Sequence, residues 1–446
     1  MTTQTLLAHA VEAVITPPAG TELIEPVGMA ATGVHDDLYA RVLALSDGDT
    51  AVAIVALDLV GLDFPLVECI RQAVRAQAGL PPERLMLTTT HDHSAPLTIP
   101  WGRIAQRSRN RAWEAQMVAT IAEASARALA GLAPARLAAG RAGVQIGFNR
   151  RVSSVQGTRM APNRAGPVAP WVDVLRVDDA NGQTIAVLYS HAAHAVTVHR
   201  ADTRFTADFP AYAGRALRQQ LGGGLVPLFA QGCCGDINVD PLSAGHAAAE
   251  RVGSTLGRAA AEAALKAEPL APQPLRVAVR RAYLPFAPLD GEQLAAILQR
   301  AQEGLRAAEA EGLNADALRS HRELVLWAER MQELAQDPAA LQGLPSEVQG
   351  FSLGDAALLG LSHEMFVEYQ LFLQQQSPFR HTMVFGYTNG CEDYVPTAEA
   401  LLLGGYEVQG APKLYGWPGL RPECERIVKE TALAVLDDLW AQRGPE

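Results

Sequence analysis

The sequence has few cysteines, no excess of basic residues and no long apolar run. Its 5 cysteines are odd in number and show no paired zinc spacing, so they predict free thiols and not a disulfide framework. Acidic residues outnumber basic ones by 48 to 37, for a net charge of -11, which gives no reason to expect nucleic acid or an anionic membrane as partner. No stretch is long and apolar enough to predict membrane insertion.

The amino-terminal stretch lacks the features of a secretion signal. It has no basic region, and His9 and Glu12 interrupt its apolar run. The sequence therefore predicts a cytoplasmic protein. With 446 residues, of which 48% are hydrophobic and 19% charged, it fits a globular protein with a sizeable core. A small neutral or apolar molecule is the partner that this composition accommodates most easily.

Helical and extended patterns alternate along the chain, which predicts an α/β fold with a mixed β-sheet core flanked by helices. Apolar runs predict strands or hairpins at Ala51–Leu59, Arg84–Thr90, Ala135–Phe148, Val172–Ser190, Leu225–Gln231 and Phe351–Leu361. Apolar residues at helical spacing predict helices at Pro65–Leu80, Asn110–Leu132, Phe209–Leu221, Gly245–Lys266 and Pro422–Trp440. No linker is visible, so we expect a single domain over residues 1–446. A helical pair from Gly291 to Asp337 is an expected excursion from it.

Polar residues follow four of the apolar runs. His91 and His93 come after one run, and His191 and His194 after another. Glu364 and Tyr394 each follow a further run. Open α/β sheets gather ligands at strand ends, and two residues at spacing two on an extended segment point the same way. The pattern predicts a buried site built from distant segments.

Each of these signals has an ordinary structural explanation when it stands alone. A histidine beside a core strand is usually a hydrogen-bonded structural residue, and this explanation is favoured for His191. Glu364 alone would be a solvated charge at a helix start, and Tyr394 a packed aromatic. Their joint occurrence is what favours a functional site.

Many short phrases, in order over nearly the whole chain, resemble the catalytic domain of the neutral ceramidase family, the neutral/alkaline non-lysosomal ceramidases. In the first half they are ITPP (Ile15–Pro18), GVHDDLYARVLAL (Gly33–Leu45), VALDLVGL (Val55–Leu62), THDHSAP (Thr90–Pro96), FNRR (Phe148–Arg151) and HAVTV (His194–Val198). Further along they are TADFPAYAG (Thr206–Gly214), GCCGDIN (Gly232–Asn238), SHEMFVE (Ser362–Glu368), YVPT (Tyr394–Thr397) and GGYE (Gly404–Glu407).

The resemblance implies a zinc-dependent amide hydrolase. The family's zinc ligands, two histidines, a glutamate and a tyrosine, fall on His91, His194, Glu364 and Tyr394. The groups placed around its tetrahedral intermediate fall on His93, Arg150 and Tyr406. Zinc lowers the pKa of bound water to about 7, so this water can attack an amide without a separate strong base. Either Asp92 or Asp236 is expected to hold the tautomer of a ligating histidine.

The sequence departs from the family in two respects. Asn238 stands where ceramidases carry a serine, so we expect Asn238 and Asp236 to contribute to recognition of the substrate's polar head. The family's secretion signal and further β-sandwich domain have no counterpart in this sequence, which argues against sphingolipid at a membrane as the substrate.

The leading hypothesis is therefore a zinc-dependent hydrolase of an amide, or alternatively an ester, in a small or medium-sized molecule. One alternative is a thiol nucleophile at Cys233 or Cys234, although adjacent buried cysteines are commonly packing residues. Another is a binding or scaffold protein that has kept the fold without the reaction. Iron held by the histidines and the carboxylate is a further alternative for the metal. A homo-oligomer is possible.

Overall fold

The structure, a computed structural model, describes residues 6–25, 28–271, 274–336 and 341–442. Its strands are β1 Leu7–Val14, β2 Tyr39–Ser46, β3 Ala51–Leu57, β4 Leu85–Thr89, β5 Ala133–Gly143, β6 Gly147–Ser154, β7 Gly157–Asn163, β8 Trp171–Asp179, β9 Thr184–His191, β10 Val226–Gln231, β11 Ile237–Val239, β12 Glu268–Pro269, β13 Arg276–Leu284, β14 Leu344–Leu353, β15 Ala356–Leu361, β16 Glu364–Met365, β17 His381–Phe385 and β18 Tyr394–Val395. Its α-helices are α1 Phe64–Ala78, α2 Arg111–Ala130, α3 Asp208–Leu221, α4 His246–Leu265, α5 Gly291–Ala310, α6 Ala315–Gln336, α7 Val367–Gln376, α8 Ala398–Leu403, α9 Ala411–Tyr415 and α10 Glu423–Ala441.

Two mixed sheets pack against each other between layers of helices. The larger has the order β10-β9-β8-β5-β1-β2-β3-β4, with β12 added beside β5, and the smaller has the order β13-β14-β15-β17. Alternate residues of each strand face opposite ways. In β2, Leu43 and Leu45 join the core between the sheets, whereas Val42 and Ala44 join the core beneath α1 and α2. The predicted mixed sheet core with flanking helices is confirmed.

Three parallel strand pairs are each connected through a helix. The pairs β3–β4, β9–β10 and β15–β17 are parallel, and α1, α3 and α7 lie in the connections between their strands. The polar phrases of the sequence follow β4, β9, β10, β15 and β17. Because the carboxyl ends of parallel strands mark the usual ligand-binding edge of an α/β sheet, this topology brings distant phrases together.

One predicted strand is in fact two. The expected strand Ala135–Phe148 divides into β5 and β6, since the chain leaves the large sheet after Gly143 and enters a small sheet of β11, β6 and β7. The expected hairpin Val172–Ser190 is formed by β8 and β9. The expected helical pair is observed as α5 and α6, while Asp337 lies outside the described residues.

Helix starts follow from local chemistry. The side chain of Asp63 accepts from the backbone N–H of Leu66 and caps α1, and Asn110 caps α2 by accepting from Trp113. Such caps satisfy donors that the first helical turn leaves free. In the parts of the chain that the structure describes, no helix has the length and apolarity needed to cross a bilayer.

Candidate metal centre

Three imidazoles, a carboxylate and a phenol meet at one point of the structure. The ligand atoms of His91, His93 and His194 all lie within 4.8 Å of one another. Oε2 of Glu364 lies 3.2 Å from Nε2 of His91 and 3.4 Å from Nε2 of His194. The hydroxyl of Tyr394 lies 3.5 Å from Nε2 of His194. The four predicted ligand side chains are thus neighbours in space, and His93 joins them as a fifth.

Backbone carbonyls fix the orientation of two of these imidazoles. Nδ1 of His91 lies 2.6 Å from the carbonyl oxygen of Val60, and Nδ1 of His194 lies 2.7 Å from that of Cys234. A carbonyl oxygen only accepts, so each Nδ1 carries the proton and donates. The Nε2 lone pairs are thereby left facing Glu364, which is the orientation that metal ligation requires.

The expectation that Asp92 or Asp236 holds a histidine tautomer was wrong. Oδ1 of Asp92 instead accepts from the backbone N–H of Ser94 at 2.8 Å. Asp236 accepts from the Asn149 side chain at 2.6 Å and from the backbone N–H of Val367 at 2.9 Å. Asp236 therefore fastens the strand that carries the NRR phrase, and its contact with substrate stays a prediction.

The backbone of the site is strained at three residues. His91, His363 and Tyr387 have φ values of 56°, 73° and 51°, in the left-handed region that side chains other than glycine and asparagine avoid. The spacing of His91 and His93 predicted an extended segment. That prediction is wrong, because the backbone at His91 is not extended. The two histidines meet because the chain turns at His91, which leaves their Nε2 atoms 3.1 Å apart.

The last residue of β10 and a glycine shortly after it hold the other segments of the site in place. The side-chain amide of Gln231 donates to the carbonyl oxygens of Thr90 and Ala193, at 3.0 and 2.8 Å, so it ties both histidine segments together. Gly235 packs against Glu364, where a β-carbon would come 2.6 Å from the Glu364 carbonyl oxygen. A glycine is required there by this close approach.

The electrostatics favour an ionised carboxylate beside a neutral imidazole. Burial alone would raise the pKa of Glu364, but its interactions with His91 and His194 outweigh burial and hold this pKa well below its usual value. Burial lowers the pKa of His194 well below its usual value, and the Arg150 guanidinium lowers it further. Tyr415 also donates to Oε1 of Glu364 at 2.7 Å. These protonation states are those that bind a metal ion.

Arg150 connects the predicted ligands to the residues around them. Its Nη2 donates to the Tyr394 hydroxyl at 3.1 Å, and its Nη1 donates to Oδ1 of Asn238 at 3.0 Å. Its Nε donates to Glu407 at 2.9 Å, and its guanidinium carbon lies 6.0 Å from the centre of the Tyr406 ring. Asn238, which stands at the family's serine position, therefore holds Arg150 in place.

Several residues around the site were missed at the sequence level. The buried carboxylate of Glu25 pairs with Nε2 of His199 and lies 3.7 Å from Nδ1 of His93. Burial lowers the pKa of His93 to about 4, so this imidazole is neutral at pH 7. Tyr387 donates to Oε2 of Glu364 at 3.3 Å. No local pattern marks these positions, because they come from loops that only the fold brings near.

Other candidates lie outside the cluster. Nδ1 of His191 faces the carbonyl oxygen of Trp171 at 2.8 Å, in agreement with its predicted structural role. Cys233 and Cys234 are completely buried, and burial raises the pKa of both thiols. A nucleophilic cysteine needs a lowered pKa and some exposure. The burial and the raised pKa of both thiols therefore give no support to a thiol mechanism.

The donor set fits a divalent cation. Atoms at the corners of a tetrahedron around zinc, with bonds of about 2.0–2.1 Å, lie about 3.3–3.4 Å apart. Three of the six separations among the four donors match that edge: His91 to Glu364 at 3.2 Å, His194 to Glu364 at 3.4 Å, and His194 to Tyr394 at 3.5 Å. Nitrogen and oxygen donors are also the types that zinc accepts.

This architecture is a neutral ceramidase-like fold. Its structural neighbours include neutral ceramidase from Pseudomonas aeruginosa, with a TM-score of 0.74 and 19% sequence identity over 99% of this chain and 76% of that chain. Another is a ceramidase complexed with C2, with a TM-score of 0.73 and 18% identity over the same shares. No protein-family profile matches the sequence. No curated protein matches it either.

Proposed function

We propose that this protein is a zinc-dependent hydrolase that cleaves an amide (N-acyl) bond in a small or medium-sized molecule, with an ester as the alternative substrate. The observation that carries the proposal is the convergence of His91, His194, Glu364 and Tyr394 at the spacing of a tetrahedral metal site. The likeness of the fold to ceramidases supports the same reaction class, although fold alone does not assign a function.

His91, His194, Glu364 and Tyr394 would hold the ion, and His93 is a further candidate ligand in the same cluster. A bound zinc ion would polarise the amide carbonyl and lower the pKa of water there. The buried carboxylate offsets the charge of the ion, and Tyr415 fixes its orientation. A site of this kind needs neither a thiol nor a serine as nucleophile. It is therefore compatible with Asn238 at the position where ceramidases carry a serine.

Arg150 and Tyr406 would stabilise the charge that develops on the carbonyl oxygen. The Arg150 guanidinium is held by Glu407 and Asn238, so it is preorganised before substrate binds. Burial raises the pKa of Tyr406, which keeps its phenol protonated and able to donate. His93 was predicted as a third donor. Its position beside His91 also suits it to ligation.

The first test measures the bound metal and the hydrolysis of N-acyl substrates in wild type and in His91→Ala. We expect about one zinc ion per chain in wild type, and loss of both metal and turnover in the variant, because removing a ligand opens the site. His381→Ala, outside the cluster, is the matched control and is expected to keep both. A metal-free wild type, or full turnover in His91→Ala, would overturn the proposal.

The same test separates the remaining alternative, a binding or scaffold protein without catalysis. Such a protein would bind a ligand and hydrolyse none of a library of amides and esters. The cytoplasmic location, the possible homo-oligomer and the single domain over residues 1–446 stay predictions of the sequence.

A further inference from the structure

A cleft of about 360 Å³ lies beside the candidate metal centre. Trp101, Leu324 and Leu414 give it an apolar lining, and Tyr406 forms part of its wall. The ring of Tyr406 lies 6.0 Å from that of Tyr394, so the cleft is one side chain away from the predicted ligands. Its volume lies within the range of small-molecule sites, about 300–1,000 Å³.

One short helix connects the cleft to the centre. Lys413 and Leu414 of α9 line the cleft, and Tyr415, the next residue, donates to Glu364 at 2.7 Å. Helix α6 contributes Arg319 and Leu324 to the same lining. The helical pair that the sequence marked as an excursion is therefore a wall of this cleft.

Two cations line the cleft without a carboxylate partner among the residues that the structure describes. Lys413 is exposed, and its Nζ lies 5.4 Å from the centre of the Trp327 ring. The Arg319 guanidinium lies against Gly28, where a β-carbon would come 1.9 Å from its nitrogens. Nη1 of Arg319 is buried and has no hydrogen-bond partner in the described chain. Each cation therefore has capacity for an anionic ligand.

The acidic residue of the lining is already engaged. Both carboxylate oxygens of Glu323 accept backbone N–H groups, those of Arg103 and Ile104, each at 2.8 Å. The charged residues of the lining are two cations, Arg319 and Lys413, and one anion, Glu323, so the lining carries a net positive charge. The whole chain has a net charge of -11, so its surface as a whole repels anions. The positive charge of the cleft lining differs from that of the rest of the surface.

On the basis of the proposed amide hydrolase function, we propose that this cleft selects amphiphilic amides that end in an anionic group such as a carboxylate. The apolar lining would bury the chain of the substrate, and Lys413 and Arg319 would bind its charged end. The charge can lie on the amine side of the scissile bond, as in an N-acyl amino acid, or at the far end of the acyl chain.

Two matched substrate pairs distinguish a charge on the amine side from a charge at the end of the acyl chain. N-dodecanoylglycine is compared with neutral N-dodecanoylethanolamine for the amine side. The monoamide of dodecanedioic acid is compared with dodecanamide for the acyl side. In wild type we expect kcat/KM to be about tenfold higher for the anionic member of one pair, since a charge-assisted contact contributes about that factor.

In Lys413→Met the anionic-to-neutral ratio of kcat/KM should fall toward one. In the control Lys266→Met, which changes an exposed lysine directly after α4, the ratio should be unchanged. Equal turnover of both members of both pairs in wild type would overturn the inference and leave the amide hydrolase intact. Turnover of none of the four would contradict the proposed function instead.

A binding measurement tests the cleft without turnover. Tryptophan fluorescence, with Trp101 in the cleft wall and Trp327 beneath Lys413, reports titration of the protein with decanoate or with 1-decanol. We expect decanoate to bind about tenfold more tightly in wild type and to lose that advantage in Lys413→Met. Equal affinities in wild type would reject the anion site.

Discussion

At the scale of single residues, the site depends on one buried arginine. Arg150 reaches Tyr394, Asn238 and Glu407 with different nitrogens of one planar group. A lysine carries the same charge but lacks this rigid fork. The guanidinium geometry, and not the charge alone, is therefore what positions the predicted donors.

Replacing Arg150 with lysine should lower kcat by about a hundredfold, because one preorganised donor to the developing oxyanion contributes about that much. The bound metal should be unchanged, since Arg150 is not among the predicted ligands. Steady-state kinetics and metal analysis of the same preparation measure both quantities. Arg164→Lys, on an exposed arginine paired with Asp240, serves as the control. Loss of metal together with kcat would show that Arg150 acts by holding the ligands.

At the scale of elements, α6 is fastened to the cleft by a side chain. Glu323 accepts the backbone N–H groups of Arg103 and Ile104, which joins the helical pair to the loop after Trp101. The sequence predicted the two helices from their composition. It held no information on this contact, because a glutamate on a helix surface looks the same whether it faces solvent or a loop.

Replacing Glu323 with glutamine leaves one acceptor oxygen for two donors, so one backbone N–H loses its partner at a local cost of about 1 kcal/mol. Hydrogen exchange should become faster in α6 and in residues 102–104, while the global melting temperature changes little. Hydrogen-exchange mass spectrometry measures the change, with exposed Glu329 of the same helix replaced by glutamine as the control. Unchanged exchange in Glu323→Gln would show that α6 is held by apolar packing alone.

At the scale of the whole molecule, buried polar contacts join the two sheets. Arg71 of α1 pairs with Glu347 of β14 at 2.7 Å, and Asn389 exchanges hydrogen bonds with the backbone of Leu87 in β4. Burial alone would raise the pKa of Glu347, but its bonds to Arg71 and Arg281 outweigh burial and lower the pKa below its ordinary 4.5. The contacts that align the sheets also align the segments of the site.

Because the folded pKa of Glu347 lies below the unfolded value, its stabilising contribution is full above pH 4.5 and is lost as the pH falls through the folded pKa. Arg71→Met should lower the free energy of unfolding by about 3 kcal/mol at neutral pH, since it leaves a buried carboxylate poorly paired. The difference in unfolding free energy from wild type should narrow as the pH falls below 4.5. Urea unfolding at each pH measures it.

The control for this pH series is Arg281→Met. Arg281 pairs with the same carboxylate, but its side chain is 73% exposed, and exposed ion pairs contribute little. We expect a much smaller loss of stability in this variant. A difference in unfolding free energy between wild type and Arg71→Met that stays constant as the pH falls well below 4.5 would contradict the assignment of the effect to Glu347.

The sequence by itself determined the elements and the identity of the candidate ligands. Apolar runs and helical periods depend on neighbours in the chain, so they located strands such as β4 and β10 and helices such as α1 and α4 to within a few residues. The ordered phrases, which resemble a known family, marked His91, His194, Glu364 and Tyr394.

The tertiary structure alone decided what surrounds those residues. The tautomers of His91 and His194 are held by the carbonyls of Val60 and Cys234, and no sequence pattern distinguishes one carbonyl from another. The break between β5 and β6 follows from a change of sheet, which is a non-local event. Local sequence patterns indicate which helix or strand each segment can form. Contacts between distant segments depend on how the sheets pack. The chemistry of the site depends on those contacts, so only the tertiary structure decides it.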